Sequence, residues 1–462
     1  MRSEIVCSFC GAEAGSLDSV CRNCQRRIIA LPSWAQASVA TNRATKKLWA
    51  VRLAVGLILA ILVWFNYPYL PNPVIWLFRS PSSDLTSMSS SEIWSMRGAN
   101  PDGASYIAES SHELQGTLVR SLYLGVATRS SPTIVNGVIY LGGDFKVTAT
   151  NEIDGETLWE KPTNGPVHGT LAVAGDNIYL PLQDKRLMAL DLKSGAVRWE
   201  FKSDSPFVGS AVVDGGIVYA GTQKGRVYAV DAESGRRIWD LDVGSSVTQP
   251  PAVYQGKVVV GSSAGNIFVQ YARTGDKRLR VRAGSLMIKR PVAANGQIYV
   301  LSDGDLLAFD AGARELPGQY PLTLIWAQLW IWQLPVPSPP SQPGFDWRVS
   351  LPDGTGSFQV TPAATPEALY LGSNSGGIYA LNPGQGEIIW QFQATAAMLA
   401  QPIVIGRSMY FGVADGTIYA VDRFSGQTEW KITLEAPLSG PLSFASGSLY
   451  AATTDGKLNI IR

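Results

Sequence analysis

A spacing of about forty residues between equivalent aromatic residues constrains the fold of this chain more than any other feature. Tryptophans keep this spacing in two sets, Trp159, Trp199 and Trp239 and, after an interruption, Trp347, Trp390 and Trp430. A second series, mostly of tyrosines, fills eight equivalent positions: Tyr140, Tyr179, Tyr219, Val259, Tyr299, Tyr370, Tyr410 and Tyr450. Eight positions with one period predict eight copies of one structural unit.

Each unit contains short, alternating apolar segments separated by turns. In residues 206–240, four such segments alternate with DGG, KG and ESG, which are typical of tight turns. About forty residues with four strands is the size of one propeller blade. The sequence therefore predicts an all-β fold over residues 92–462, an eight-bladed β-propeller of four-stranded antiparallel blades. The last unit lacks an outer strand, and we expect Gln115–Gly125 to supply it and close the ring.

An apolar insert interrupts the fifth unit at about residues 311–346. It carries Trp326, Trp330 and Trp332 and ends in a proline-rich run. Its apolar part is too short to span a bilayer. Three interpretations remain open: the insert packs on the flank of the propeller, enters the membrane interface, or binds a partner. The three tryptophans are therefore candidate interaction residues.

All four cysteines lie near the N-terminus as two CxxC pairs, Cys7 with Cys10 and Cys21 with Cys24. Each CxxC turn can direct two thiolates to one side, and two such turns can complete a tetrahedral zinc site. A redox pair would need only one CxxC. We therefore predict a zinc ribbon at residues 1–30, in which a structural zinc ion folds a segment too short for its own core. A docking surface for a cytoplasmic partner is the functional alternative.

A single apolar segment follows a basic linker at residues 31–47. Residues 48–66 contain one charged residue, Arg52, which lies close enough to one end to reach the lipid headgroups. This pattern predicts one transmembrane helix. Basic residues are concentrated before the segment, so the positive-inside rule places the N-terminus in the cytoplasm and the propeller outside it. Residues 67–91, rich in Pro and Ser, are predicted to be a spacer.

Charge and histidine content limit the functions to be considered. Lys plus Arg number 38 and Asp plus Glu number 37, so the chain has no overall field that would hold nucleic acid. The two histidines, His112 and His168, lie in no motif with Ser, Asp or Cys that suggests a catalytic site. We therefore predict no catalytic residue and no nucleic-acid partner.

The recurring sequence GxVYAxDxxSGxxxW, found in Gly225–Trp239 and Gly416–Trp430, resembles the repeat of the pyrroloquinoline quinone (PQQ)-type β-propeller family. The resemblance implies that the tryptophans dock against neighbouring blades and that Asp191, Asp231 and Asp422 form turns. The domain is similar in repeat type and blade number to the non-enzymatic scaffold subunit of the outer-membrane β-barrel assembly machinery. Dehydrogenases of the family hold PQQ beside an adjacent cysteine pair, which this domain lacks. PQQ is therefore not expected as a cofactor.

These observations favour a membrane-anchored, extracytoplasmic propeller that acts as a non-enzymatic scaffold for a protein partner. The alternative is a ligand-binding sensor that signals through the zinc ribbon. A PQQ-dependent oxidoreductase is less favoured. The sequence identifies neither the partner nor the oligomeric state.

Overall fold

The computed structural model describes residues 5–7, 9–10, 12–14, 20–27, 49, 51–60, 72–108, 114–123, 130–167, 169–285, 289–351 and 356–462. The chain divides into two compact units, Met1–Pro68 and Tyr69–Arg462. In the first unit, β1 (Ile5–Val6) pairs with β2 (Glu13–Ala14) in an antiparallel hairpin, and residues 51–60 form helix α1.

The predicted transmembrane span falls partly on residues that the structure describes. Residues 51–60 of the span are helical, whereas residues 48, 50 and 61–66 lie outside the described part of the chain. Among the described residues there is no helix with both the length and the apolar character needed to cross a membrane. The span at residues 48–66 therefore stays a prediction.

In the second unit, the described residues form the predicted eight blades, each a four-stranded antiparallel sheet. Blade one consists of β5 (Thr133–Val135), β6 (Val138–Gly143), β7 (Lys146–Asn151) and β8 (Thr157–Pro162). Blade two consists of β9 (Ala172–Ala174), β10 (Asn177–Pro181), β11 (Arg186–Asp191) and β12 (Val197–Lys202). Blade three consists of β13 (Val212–Asp214), β14 (Ile217–Gly221), β15 (Arg226–Asp231) and β16 (Arg237–Asp242). Blade four consists of β17 (Ala252–Tyr254), β18 (Lys257–Gly261), β19 (Asn266–Tyr271) and β20 (Lys277–Arg282).

The remaining blades follow the same order, with two additions from the N-terminal side of the domain. Blade five consists of β21 (Val292–Ala294), β22 (Gln297–Ser302), β23 (Asp305–Asp310) and β24 (Phe345–Val349). Blade six consists of β25 (Ala363–Ala364), β26 (Leu369–Gly372), β27 (Gly377–Leu381) and β28 (Ile388–Gln393). Blade seven consists of β29 (Ile403–Ile405), β30 (Ser408–Gly412), β31 (Thr417–Asp422) and β32 (Thr428–Thr433), extended by β3 (Tyr106–Ile107). Blade eight consists of β33 (Ser443–Ala445), β34 (Ser448–Ala452), β35 (Lys457–Ile461) and β4 (Leu118–Tyr123).

The ring closes as the sequence predicts. Strand β4, within Gln115–Gly125, pairs antiparallel with the last strand β35, and Leu458 lies opposite Leu122. The backbone of Thr117 and Arg462 continues this pairing in both directions. Closure by a strand from the other end of the domain removes the free edge of blade eight.

The first strands of neighbouring blades contact one another, so they line the central axis. Residues 87–107, here named the strap, run along these inner strands. The strap exchanges backbone hydrogen bonds with the first strands of seven blades: Trp94 with Ile134, Ser95 with Val173, Ser87 with Val213, Pro101 with Val253, Asp102 with Ala293, Ala104 with Ala364, and Ser105 with Val404. These bonds give hydrogen-bond partners to backbone groups of the inner strands that would otherwise face the axis unpaired.

Part of the predicted spacer also packs on the propeller. Ser82 donates from its backbone N–H and its hydroxyl to one carboxylate oxygen of Asp231, at 2.6 and 2.9 Å. Leu85 packs against the core around blade three, and Ser87 is fully buried. The described residues of this unit also form two helices, α2 (Pro73–Phe78) and α3 (Gln319–Ile331), the latter inside the predicted insert.

Candidate functional site

The four predicted metal ligands come together. The sulfur atoms of Cys7, Cys10, Cys21 and Cys24 all lie within 4.8 Å of one another. The Sγ atoms of Cys7 and Cys24 are 3.6 Å apart, and those of Cys10 and Cys21 are 3.5 Å apart. Zinc–thiolate bonds of about 2.3 Å put tetrahedral sulfur atoms about 3.8 Å apart, so the cluster fits a metal ion such as zinc. Backbone N–H groups of Phe9 and Cys10 lower the pKa of Cys7 to about 6, which favours the thiolate form that binds metal.

The repeated tryptophans link six of the blades to the next blade. The indole N–H of Trp199 donates to the carbonyl of Ala232 at 2.9 Å, and that of Trp239 donates to the carbonyl of Ala272 at 2.9 Å. The repeated tyrosine contributes to the same link, because Tyr219 donates its hydroxyl to Ala272 at 3.0 Å. The other indoles make equivalent bonds: Trp159 to Leu192, Trp347 to Pro383, Trp390 to Arg423 and Trp430 to Leu114.

The turns that begin with the repeated aspartates form the surfaces against which these tryptophans pack. In blade three, Asp231 accepts hydrogen bonds from the backbone N–H and the hydroxyl of Ser234, at 2.8 and 2.7 Å. Gly235 follows with a φ of +70°, and a Cβ there would lie 2.7 Å from the ring of Trp199. Only glycine combines this backbone conformation with such close contact, which explains the Ser-Gly pair of the repeat. Asp191 and Asp422 hold Ser194 and Ser425 in the same way.

Blade four, which lacks both the aspartate and the tryptophan, is instead linked to the insert. Glu315 is 1% exposed and accepts hydrogen bonds from Lys277 at 2.9 Å and from the backbone of Arg280 at 3.0 Å. The guanidinium of Arg280 lies 4.5 Å from the ring centre of Tyr320. The start of the insert is therefore fixed on the outer strand β20.

The candidate interaction residues of the insert lie on or directly after α3 and are accessible. No residue of α3 is buried, and Trp330 and Trp332 are 50% and 65% exposed. Trp326 is also exposed and donates to the carbonyl of Pro337 at 2.8 Å. A cavity of about 250 Å³ separates the first turns of α3 and the proline-rich run from β20. The insert thus packs on the propeller flank through its ends, while the tryptophans stay exposed.

The inner strands surround a central channel, and a cavity lined by cationic side chains lies at the end of this channel where those strands begin. We call this cavity the channel mouth. Its volume is about 280 Å³, and Arg97 of the strap and Lys289 of blade five line it. Among the described residues neither side chain has a carboxylate partner. The rest of the lining comes from segments that precede the inner strands of blades four, six, seven and eight: Gln249, Gln359, Val360, Thr361, Leu399, Ala400, Gln401, Leu438, Ser439, Gly440 and Pro441.

A buried arginine lies next to this channel mouth. Arg290 is 1% exposed and donates to the carbonyls of Arg97 and Asn100 of the strap. Burial lowers the pKa of Arg290 to about 9, and Arg97 acts in the same direction, against the opposing effect of Asp102. Burial also lowers the pKa of Arg97. Arg97 and Arg290 thus lie close together at this end of the channel, with Asp102 as an opposing carboxylate.

The sequence identified the cysteines, the tryptophans and the insert, but not the channel mouth. Arg97 and Lys289 are far apart in sequence, so only the closed ring and the strap bring them together. The two histidines, His112 and His168, both lie outside the described residues.

Comparisons with known proteins agree with this architecture. A family model described as outer membrane protein assembly factor BamB matches residues 88–312, 223–397 and 345–462. No curated protein matches the chain. The structure of BamB from Moraxella catarrhalis is similar, with 20% identity over 74% of this chain and 96% of that chain and a TM-score of 0.53.

Two further solved structures share the fold. The computationally designed protein Ika8 has 15% identity over 75% of this chain and 98% of its own, with a TM-score of 0.58. The quinohemoprotein alcohol dehydrogenase of Comamonas testosteroni has 14% identity over 83% of this chain and 78% of its own, with a TM-score of 0.58. At these identities the likeness concerns the fold.

Proposed function

Since the chain belongs to the family of the outer membrane protein assembly factor BamB, we propose that it is a non-enzymatic, membrane-anchored scaffold that binds a protein partner outside the cytoplasm. The predicted span at residues 48–66 anchors it, the zinc ribbon stays in the cytoplasm, and the propeller presents the binding surface. The basic residues before the span support this orientation.

The observation that carries the proposal is that two cationic side chains, Arg97 and Lys289, line the channel mouth. Buried or half-buried cations in proteins are normally paired, because removing a charge from water without a partner is costly. Arg97 and Lys289 line an open cavity without such a partner among the described residues. An acidic segment of a partner protein would supply the missing carboxylates, and the rigid ring would hold them in place.

Site-specific photocrosslinking from native membranes tests this function. A photoreactive residue in place of Gln359, which lines the channel mouth, is expected to capture a protein, whereas one in place of exposed Glu429 on β32 serves as the control. Lys289→Glu should abolish the crosslink at Gln359, and Lys289→Gln should reduce it less. Equal capture at both positions, unaffected by Lys289→Glu, would refute a binding site at the channel mouth.

A ligand-binding sensor is a second candidate. Gly56 and Ala60 lie one turn apart on α1, and nothing lies within 4 Å of the position that a Cβ of Gly56 would take. Two such small residues can let helices associate in a membrane. Dimers of the full-length protein in membranes that are lost in Gly56→Leu would favour the sensor. Monomers in both would favour the scaffold.

A further inference from the structure

Two exposed apolar helices are attached to the same part of the propeller. Helix α2 begins at its cap Asn72, whose backbone N–H donates to Asp276 at 3.4 Å, directly before β20. Arg79, at the other end, donates to the carbonyl of Ile238 on β16 at 3.2 Å. The insert that contains α3 is fixed by Glu315 to β20 itself. Both helices therefore project from the outer strands of blades three and four.

Ile75 of α2 packs against the core around blade three, but most of the described apolar side chains on both helices stay exposed. On α2, Val74, Leu77 and Phe78 are exposed, Phe78 to 71%. On α3 and directly after it the exposed apolar residues are Leu322, Leu324, Ile325, Trp326, Trp330, Ile331, Trp332 and Leu334. We call these two sets of side chains together the apolar face.

The composition of α3 favours lipid over a protein groove as the occupant of this face. Residues 316–345 contain no charged side chain, and α3 has no continuous polar side. A helix that docks in a protein groove normally keeps one polar side for water. Tryptophans beside aliphatic residues are typical of the interfacial region of a bilayer.

Two further observations indicate the same occupant. In the sequence, six residues separate the predicted span from α2, and six residues reach at most about 20 Å. The face is also bordered by exposed arginines, among them Arg236, Arg273 and Arg282. Arg236 donates to the carbonyl of Phe78 at the end of α2, and Arg273 donates to the hydroxyl of Ser80 just after it. Such arginines complement anionic headgroups.

We propose that the apolar face inserts into the interfacial region of an anionic bilayer and fixes the orientation of the propeller on the membrane. The contact is additional to the predicted span and does not depend on a protein partner. With the side of blades three and four held against lipid, the ring cannot rotate freely about the chain that tethers it.

Lipid photolabelling of the full-length protein tests the proposal. The protein is reconstituted into vesicles of phosphatidylethanolamine and phosphatidylglycerol that contain a phospholipid with a diazirine in its acyl chain, and labelled peptides are identified by mass spectrometry. Peptides covering α2 and α3 should be labelled, and peptides from β32 on blade seven should not. Replacement of phosphatidylglycerol by phosphatidylcholine should reduce the labelling, because the arginines then lose their anionic partners.

Matched variants make the result specific. Leu322→Glu combined with Trp330→Glu places charges on exposed positions and should lower labelling of α3 at least ~10-fold. Ile389→Glu, at a position 51% exposed on β28, is the control and should leave it unchanged. Labelling confined to the predicted span would overturn the proposal. Protection of α3 in native membranes without labelling in lipid vesicles would also overturn it, since a protein would then cover the face.

Discussion

At the residue scale, the recurring spacing of the tyrosines and tryptophans is explained by a backbone carbonyl of the next blade, which accepts from both side chains at four junctions. The carbonyl of Ala272 receives both the indole of Trp239 and the hydroxyl of Tyr219, from the preceding blade. Ala229 lies opposite Trp239 in the sheet, and the pairing register shifts directly after it. The small residue and the bulge let the large ring turn toward the neighbouring blade. The resemblance to the PQQ-type repeat implied this docking role for Trp239, and its hydrogen bond to Ala272 agrees with it.

Substitution of Trp239 separates ring packing from hydrogen bonding. Trp239→Phe keeps most of the ring and should cost about 1 kcal/mol, because Tyr219 still donates to Ala272. Trp239→Ala also leaves a cavity and should cost about 3–5 kcal/mol. Urea denaturation followed by circular dichroism measures both. Equal losses in the two variants would show that the hydrogen bond, and not the ring, holds the blades together.

The buried tyrosines also predict a response to alkaline pH. Burial raises the pKa of Tyr140 and of Tyr299 to about 12, from an ordinary value near 10. A folded-state pKa above the unfolded value means that stability is complete below pH ~10 and falls as the pH rises toward 12. Each such tyrosine contributes a slope of up to ~1.4 kcal/mol per pH unit in that window. Tyr140→Phe should reduce the slope, and an unchanged slope in urea titrations from pH 9 to 12 would contradict the assignment.

At the element scale, prediction from sequence succeeded where a segment carries its own pattern. Strand β4 alternates like a strand, and the open eighth blade required one, so its place could be inferred. The strap has no such alternation. Gly98 and Asn100 make hydrogen bonds within the strap, and Pro101 accepts from Val253 of a distant strand, so its course depends on the closed ring. The course of α3 was also undetermined, since an apolar segment by itself does not specify what it contacts.

The zinc ribbon is an element whose folding should depend on metal. The full-length protein should contain one zinc ion per chain, measured by mass spectrometry of the metal, and Cys10→Ser should lose it. Chelation should increase hydrogen exchange in residues 5–27 and leave the propeller unchanged, because Met1–Pro68 is a separate compact unit. Wild-type protein with added zinc is the control. Exchange unaffected by both chelation and Cys10→Ser would argue against a structural metal.

At the scale of the whole molecule, stability depends on closure of the ring, whereas the insert lies outside it. Strand β4 buries Leu122 and pairs along the length of β35. Helix α3 buries none of its residues and only interrupts the connection between β23 and β24.

Removal of the closing strand and removal of the insert should therefore affect the stability of the propeller very differently. Removal of residues 116–123 leaves β35 unpaired and exposes an edge, so we expect a large loss of thermal stability and association through the open blade. Replacement of residues 318–343 by a short Gly-Ser linker should leave the propeller monomeric and nearly as stable as before. Differential scanning calorimetry and size-exclusion chromatography in detergent distinguish the two. If the second deletion destabilised the propeller as much as the first, the insert would be part of the propeller core. The apolar face would then stabilise the fold and would not be available to bind lipid.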